Sequence, residues 1–450
     1  MKYDTVVIGF GKAGKTLAAT LAKRGEKVAV IEKSPEMYGG TCINVGCIPS
    51  KSLVTAAGAA DHLKNAPFEK RAEYYAGAIN EKRRVTGMLR KKNYDKLNDD
   101  PNIIVYDGYG RFISPSQIEV LLNSGGEKIL EGEKIVINTG ASPVEINIPG
   151  MKNNPQVYTS ETLMDEEQLP ERLTLIGAGY IGMEFASMYS KFGSKVTVLQ
   201  DSDVFLPKED RDVAEAIKGI LEKQGVDFLL NANTREIDGG DVRYEQNGKE
   251  IVLEGDAILI ATGRKANTEG LQTEKAGIEL TSRGAVKVDE LLRTGVPNIW
   301  AVGDVNGGPQ FTFISLDDHR IVMSQLNGRG YTREQRKNVP YSVFMDTPLG
   351  RVGITEAQAK QQGIPYRIVK MPTAAVPKAQ VLRKTDGLLK AVIHAETGRV
   401  LGVSLLCPEA YEMVNLIKLA MDNDVGYEQL RDQIYTHPTM TEAFNDLFSQ

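Results

Sequence analysis

Cys42 and Cys47 stand with four residues between them in GGTCINVGCIPSK, and they are two of the chain's three cysteines. Upstream, the apolar run YDTVVIG leads into Gly9, Gly11 and Gly14, spaced G-x-G-x-x-G, with Glu32 lying 23 positions past Gly9. Glycines at this spacing let a dinucleotide pyrophosphate approach a helix N-terminus, and the acidic residue is placed for a ribose hydroxyl. A nucleotide site followed by two thiols predicts two-electron redox chemistry. Glycine-rich turns also arise from plain strand–helix packing, so the preceding strand and Glu32 give the fingerprint its weight.

Whether the two thiols can bond is a question of geometry. Residues five apart on a regular helix have Cα atoms about 8 to 9 Å from each other, whereas a disulfide needs them within about 7 Å. A Cys42–Cys47 bond therefore requires a distorted helix or a turn, for which Gly46 and Pro49 are suitable breakers. The plain alternative is a pair of buried, unconnected small hydrophobes. Cys407, in the strand-like SLLC, is expected to be one of those.

A free thiol has a pKa of about 8.5, so rapid exchange calls for a base or a nearby positive charge. Of the four histidines, His62 lies in an Ala-rich helix, His319 in SLDDHR and His394 in a strand, where surface or packing roles suffice. His437 stands in HPTMTE with Glu442 five residues on to orient the ring, which is the arrangement of a base with its orienting acid.

The elements that must position these groups include an internal repeat. RLTLIGAGYIGMEFA restates the opening with Gly177, Gly179 and Gly182, and its second strand ends at Gln200, 23 positions past Gly177. Two such units imply two dinucleotides. Later strands end in turns at KIVINTG through Gly140, AILIATGR through Gly263 and Arg264, and NIWAVGD through Gly303 and Asp304; such ends face the ligand crevice of a parallel sheet. Residues 78–98 read as a solvated amphipathic helix with Val85, Met88 and Leu89 on its apolar face. Its basic cluster of Lys82, Arg83, Arg84, Arg90, Lys91 and Lys92 has acidic neighbours and no aromatic platform, so a solvated face is expected rather than a nucleic-acid patch. Residues 114–135 read as short strands joined at Gly125 and Gly126, and after about 338 alternating strands and the helix EMVNLIKLAMDN predict an α+β domain.

Composition sets the surroundings. The chain has 450 residues, enough for two to four domains, with 54 basic and 59 acidic residues and a net charge of −5. No global field points to nucleic acid or an anionic membrane. The start MKYDTVVIGF enters a strand directly, no apolar run reaches the roughly 18 residues of a span, and cysteines are few, so a cytoplasmic protein is expected.

From GGTCINVGCIPSK to HPTMTEAF, essentially the full length resembles the pyridine-nucleotide disulfide oxidoreductases, the group of lipoamide dehydrogenase, glutathione reductase and mercuric reductase. The resemblance implies an α/β fold with two Rossmann-like domains and a C-terminal α+β dimerisation domain. The FAD domain would comprise 1–150 and 268–338, the NAD(P) domain 151–267 and the interface domain 339–450 of a homodimer. On this pattern Gly9, Gly11, Gly14, Glu32, Thr41, Lys51, Thr139, Gly140, Gly303 and Asp304 serve FAD, with Asp304 on the flavin-side sugar chain. Gly177, Gly179, Tyr180, Ile181, Gly182, Gln200 and Gly263 serve NAD(P). Lys51 and Glu184 would pair near the flavin and nicotinamide rings, Cys47 would lie against the flavin, and Cys42 would face the substrate. His437 would reach the dithiol of the other subunit.

Segments such as GFGKAGKTLA, FLPKEDRD, QFTFISLDDHRIV, KNVPYSVFM and LRDQIYTHPTM resemble a branch of flavoproteins linked to reactive-chlorine resistance. That branch implies protection against hypochlorous acid and related oxidants, with NAD(P)H-driven reduction of copper(II) at Cys42 and Cys47 as one activity and no structural metal. The acceptor would be a small oxidant, a disulfide or a metal ion. Two departures bear on this. Gln200 replaces the acidic residue that holds the NAD 2′-hydroxyl, yet Asp201 and Asp203 are close and no arginine follows until Arg211, so NADH is favoured with NADPH possible. The ending NDLFSQ lacks the extra cysteine pair of mercuric reductase, which disfavours a mercury-specific role. Lipoamide dehydrogenase is the alternative enzyme, and a flavin- and NADH-binding redox sensor the alternative of another kind.

Overall fold

Strand β1 (Lys2–Ile8) carries Val6, Val7 and Ile8 in succession, all buried, as a strand covered on both faces requires. Helix α1 (Lys12–Ala22) crosses over to β2 (Val28–Glu32), which pairs in parallel with β1, Val6 opposite Ala29. The redox segment follows as α2 (Thr41–Asn44) and α3 (Cys47–Ala59), and then the 31-residue α4 (Phe68–Asn98). Next come β3 (Ile103–Ser114), β4 (Gln117–Leu122) and β5 (Glu127–Ile137). The first half of β3 adds in parallel to β2, and the second half of β5 adds to the other side of β1, Val6 opposite Ile135. Their remaining halves flank β4 in an antiparallel meander, turned at Gly125 and Gly126. The late strand Ile299–Ala301 closes the edge beyond β5.

The computed structural model describes residues 1–450, which separate into two units. The first holds Met1–Ser52, Ile79–Glu145 and Gly263–Arg336; the second holds Leu53–Ala78, Ile146–Thr262 and Lys337–Gln450. Residues 53–78 thus cluster with the second unit. The sheet of the first unit has a core on each face: one gathers Leu17, Leu21, Trp300 and Val322, and the other gathers Ile31, Phe112, Ile118 and Val286.

The second unit repeats the strand order. Strands β6 (Val157–Thr159) and β7 (Arg172–Ile176), helix α5 (Tyr180–Phe192), then β8 (Lys195–Leu199), β9 (Val226–Leu229) and β10 (Ala257–Ile260) give the parallel order β9-β8-β7-β10-β6. Residues 233–253 form a separate three-stranded antiparallel sheet. The C-terminal part is a five-stranded antiparallel sheet running from Tyr341–Val343 at one edge to Tyr366–Pro372 at the other, packed under helix Ala410–Asp422. Its core includes Leu405, Ile417, Phe444 and Cys407, whose Sγ lies 3.8 Å from Met413 Sδ. Removing Phe444 by substitution with Ala would cost about 3 to 5 kcal/mol. No helix is long and apolar enough to cross a membrane.

One helix departs from its sequence reading. In α4 Met88 is 55% exposed, while Lys82 is only 3% exposed and Tyr75, Ile79, Thr86 and Leu97 are buried. The inward stripe keeps helical spacing but recruits polar side chains, so apolar residues alone mark the wrong face. Arg84 and Lys91 do lie on a solvated face, paired with Glu81 and Asp95.

Candidate functional site

In the first unit the chain leaves β1 through Gly9, whose φ of +103° and close approach to the Asn138 carbonyl exclude a side chain. Asn138, buried at the end of β5, then organises the turn. Its Oδ1 accepts from the Gly14 amide at 2.9 Å, and its Nδ2 donates to the Val302 carbonyl at 2.8 Å. Ser315 Oγ accepts from the Ala13 amide at 3.1 Å. No acid stands in the first turn of α1, and with the Ala13 and Gly14 amides taken by Ser315 and Asn138, the amides of Gly11 and Lys12 are those this helix N-terminus offers to a pyrophosphate. At the tip of β2, Glu32 Oε2 accepts from the Phe10 amide (2.9 Å) and Oε1 from the Ser34 amide (3.2 Å). Burial raises its pKa against those bonds.

Other expected flavin-side residues border the same turn. Thr139 Oγ1 donates to the Asn267 carbonyl at 2.7 Å, and a Cβ at Gly140 would meet only Thr41 Oγ1, 3.9 Å away. Gly303 donates its amide to Asp318 Oδ2 at 2.7 Å and lies against Ser315 and Asn138. Asp304 is pushed up to about 6, by burial first and by the Cys47 and Asp318 charges, with Arg264 opposing. A carboxyl held there without a full counter-charge fits a neutral hydroxyl-rich ligand chain.

The redox segment breaks where the two-thiol reading required. Helix α2 ends at Asn44, Val45 leaves helical geometry, and Cys47 opens α3. The structure holds the pair as thiols. Cys42 is pushed well above the usual thiol range by its hydrogen bond to Cys47 and by burial, while Thr312 and Lys15 act in the opposite sense. Thr312 Oγ1 lies 3.5 Å from Cys47 Sγ, at the start of helix Thr312–Leu326. Between the cysteines, Asn44 Nδ2 donates to the Tyr38 and Gly40 carbonyls, both at 3.0 Å, and its Oδ1 accepts from Arg90 Nε at 2.9 Å. Arg90 also pairs with Glu36, so this member of the supposed solvated face is part of the redox surroundings. Lys51 Nζ donates to Ser50 Oγ at 3.2 Å.

In the second unit Gly177 and Gly182 pack against the backbone at Ala261 and Gly177, but nothing lies within 4 Å of a Cβ at Gly179. Helix α5 is uncapped and likewise without an acid in its first turn. Gln200 Oε1 accepts from the Ala178 amide at 2.9 Å, while its Nε2 donates to Asp201 Oδ1 (2.9 Å) and Ser202 Oγ (3.0 Å). Tyr180 donates its hydroxyl to Glu209 Oε1 at 2.6 Å, and Ile181 follows it on α5. Glu184 is buried and accepts from the Phe344 amide at 2.9 Å. Gly263 opens the third segment of the first unit, with open space where a Cβ would stand. Near the C-terminus His437 Nδ1 meets Glu442 Oε2 at 2.7 Å, and Glu442 Oε1 accepts from the Thr439 amide at 3.2 Å. The His437 side chain is 70% exposed, which leaves Nε2 as the nitrogen available to an outside group.

Sequence reasoning passed over Asn138, Ser315, Asn44, Thr312 and Lys15. Asn138 immediately precedes Thr139 and Gly140, so its position was marked even though its role was not. Asn44 sits between the two thiols, but an amide that binds its own loop and an arginine 46 residues on leaves no pattern.

The family model for the pyridine nucleotide-disulphide oxidoreductases matches residues 3–318, and that for their dimerisation domain matches 339–448. The chain is 50% identical over 449 residues to the probable pyridine nucleotide-disulfide oxidoreductase RclA of Escherichia coli (strain K12), covering 100% of this chain and 99% of the relative. It is 32% identical to a dihydrolipoyl dehydrogenase of Bacillus subtilis (strain 168), covering 98% and 94%. The solved Cu(II) complex of the HOCl-induced flavoprotein disulfide reductase RclA from E. coli superposes with a TM-score of 0.94 at 50% identity, covering 100% and 99%.

Proposed function

As the chain belongs to the pyridine nucleotide-disulphide oxidoreductase family, we propose that it uses NADH to reduce a Cys42–Cys47 disulfide and passes the electrons to a small oxidant or to copper(II). The observation that carries this is the Cys42–Cys47 pair beside Thr312, in the same unit as a glycine turn braced by Asn138. FAD, when bound, supplies the two-electron relay between NAD(P)H and the disulfide. Gly9, Gly11, Gly14 and the α1 N-terminus would hold its pyrophosphate, Glu32 a ribose hydroxyl and Asp304 the sugar chain. In this reading 1–150 with 268–338 form the flavin domain, 151–267 the nicotinamide domain and 339–450 the dimer interface. Thr41, Thr139, Gly140 and Gly303 would serve the flavin, and Lys51 and Glu184 would act near the flavin and nicotinamide rings.

The chain's own groups then do the following. Cys47, at the first turn of α3, sits where a helix N-terminus favours an anion. Cys42 faces the acceptor. With copper, the dithiolate gives one electron to each of two Cu(II) ions, and the two sulfurs form the Cys42–Cys47 bond as two Cu(I) ions leave. Soft thiolates suit Cu(I), which makes a transient stay on this pair reasonable. His437 Nε2, held by Glu442, would take or return the thiol proton in the partner subunit.

Preference for NADH rests on charge. Asp201 lies against Gln200, and Arg211, the next arginine, donates to the carbonyls of Phe205, Leu206 and Glu209, so this arginine is not offered to a 2′-phosphate. A role against reactive chlorine is supported by the 50% identity to a protein described as HOCl-induced. The test is anaerobic reduction by NADH and by NADPH, then reoxidation by disulfides, quinones, lipoamide and Cu(II) in turn. NADH and Cu(II) should be the productive pair. Strong lipoamide turnover would favour the dehydrogenase reading, and slow turnover with every acceptor would favour a sensor.

A further inference from the structure

Lys15 occupies α1 just after the glycine turn, and its side chain is half-buried. Nζ donates to the Gly39 carbonyl at 3.0 Å and to Asn93 Oδ1 at 2.6 Å. Both acceptors are neutral, and no carboxylate pairs with this ammonium. Such a charge is costly to shield, because desolvation goes uncompensated. Burial first, then repulsion from Lys12 and Lys96, lower its pKa to about 8, and the group that acts the other way is Cys42. The effect is mutual, since Lys15 lowers the pKa of Cys42.

The hydrogen bonds place this charge with purpose. Gly39 belongs to the turn that delivers Cys42, and its neighbour Gly40 packs against Gly11 so closely that a Cβ would stand 2.7 Å from the Gly11 Cα. Asn93 and Arg90 share α4, and Arg90 holds Asn44 two residues past Cys42. The redox turn is therefore gripped from α1 by Lys15 and from α4 by Arg90, and Asn93 fixes the ammonium between them. We propose that Lys15 is a positioning residue of the dithiol, which holds the turn bearing Cys42 through its bond to the Gly39 carbonyl. This rests on the reading of Cys42 as the acceptor-facing thiol.

The test measures the thiol directly. The flavin-loaded protein is reduced with dithiothreitol, freed of reductant and treated with iodoacetamide at pH 7, and labelling of Cys42 and Cys47 is followed by peptide mass. Lys15→Met, which frees the Gly39 carbonyl and loosens the turn, should change Cys42 labelling several-fold while Cys47 labelling stays near the wild-type rate. Lys15→Arg should restore most of the rate. Asn93→Asp, which draws the ammonium to a carboxylate and away from the Gly39 carbonyl, should change Cys42 labelling in the same sense with Lys15 still present, and it carries the test if Lys15→Met does not fold. Wild-type rates in Lys15→Met or in Asn93→Asp, or an arginine variant as far from wild type as the methionine one, would overturn the proposal. Flavin reduction by NADH is recorded separately. Its failure in wild type would refute the proposed function and leave the labelling result standing.

Discussion

The two glycine turns follow the same strand order and the same spacing, and each is tied to the side chain that ends its second strand. Glu32 accepts from the Phe10 amide and Gln200 from the Ala178 amide, each at 2.9 Å. They differ in what lies over the second glycine. A Cβ at Gly11 would stand 2.6 Å from Asn138 Oδ1, whereas Gly179 faces open space. In KIVINTG and ILIATG the residue matching Asn138 is Ala261, too short to reach across. The first turn is thus braced by its own chain around a fixed shape, which suits a cofactor that stays. The second leaves room over its helix N-terminus, which suits a nucleotide that binds and departs in each cycle.

The largest effect should come from adding one methyl group to each turn. Gly11→Ala drives a Cβ into the locked Asn138 amide and should cost about 1 to 3 kcal/mol with loss of bound flavin. Gly179→Ala should change stability by less than about 1 kcal/mol and raise the KM for NADH about tenfold by crowding the pyrophosphate. Denaturant melts, flavin content and steady-state kinetics check both, and equal destabilisation would erase the contrast. Next in size is Asn138→Ala, which strands the buried Gly14 amide and Val302 carbonyl at a cost of about 2 kcal/mol. Melts of the flavin-free protein separate that loss from weakened cofactor binding.

Asp304, which belongs to the first site alone, gives a pH test. Its folded pKa of about 6 lies above the ordinary aspartate value, so the folded state binds the proton more tightly. Stability linked to this group is present below about pH 4 and is lost as pH rises through 6. Asp304→Asn should therefore raise the stability of the flavin-free protein by about 3 kcal/mol above pH 6 and leave it unchanged below pH 4. A difference that does not vary with pH would place the cause elsewhere. The smallest effect concerns the second site. Gln200→Glu keeps an acceptor for the Ala178 amide but adds charge beside Asp201, and it should lower kcat/KM for NADPH several-fold more than for NADH. Equal losses would mean that this position does not read the 2′ group.

The fold was legible where backbone demands leave a trace in residue type. Both fingerprints, the largely buried strands that feed them and the turn at Gly125 and Gly126 followed from pattern. The helical break between Cys42 and Cys47 followed from the reach of a disulfide. The inner face of α4 was misread because Lys82 and Thr86 are buried there, and a pattern of apolar residues cannot count them. The clamp on the redox turn was unreadable for a related reason. Lys15, Arg90 and Asn93 meet it through Gly39 and Asn44, partners that only the folded chain brings near. His437 and Glu442 were legible because five residues separate them.

Copper turnover by wild type and by the Cys42→Ser, Cys47→Ser double variant, each loaded with FAD and shown to be reduced by NADH, tests the dithiol most directly. The account predicts that Cu(I) formation falls by about 100-fold or more in the double variant, while reduction by NADH continues near the wild-type rate. Undiminished Cu(I) formation without the two thiols would contradict it.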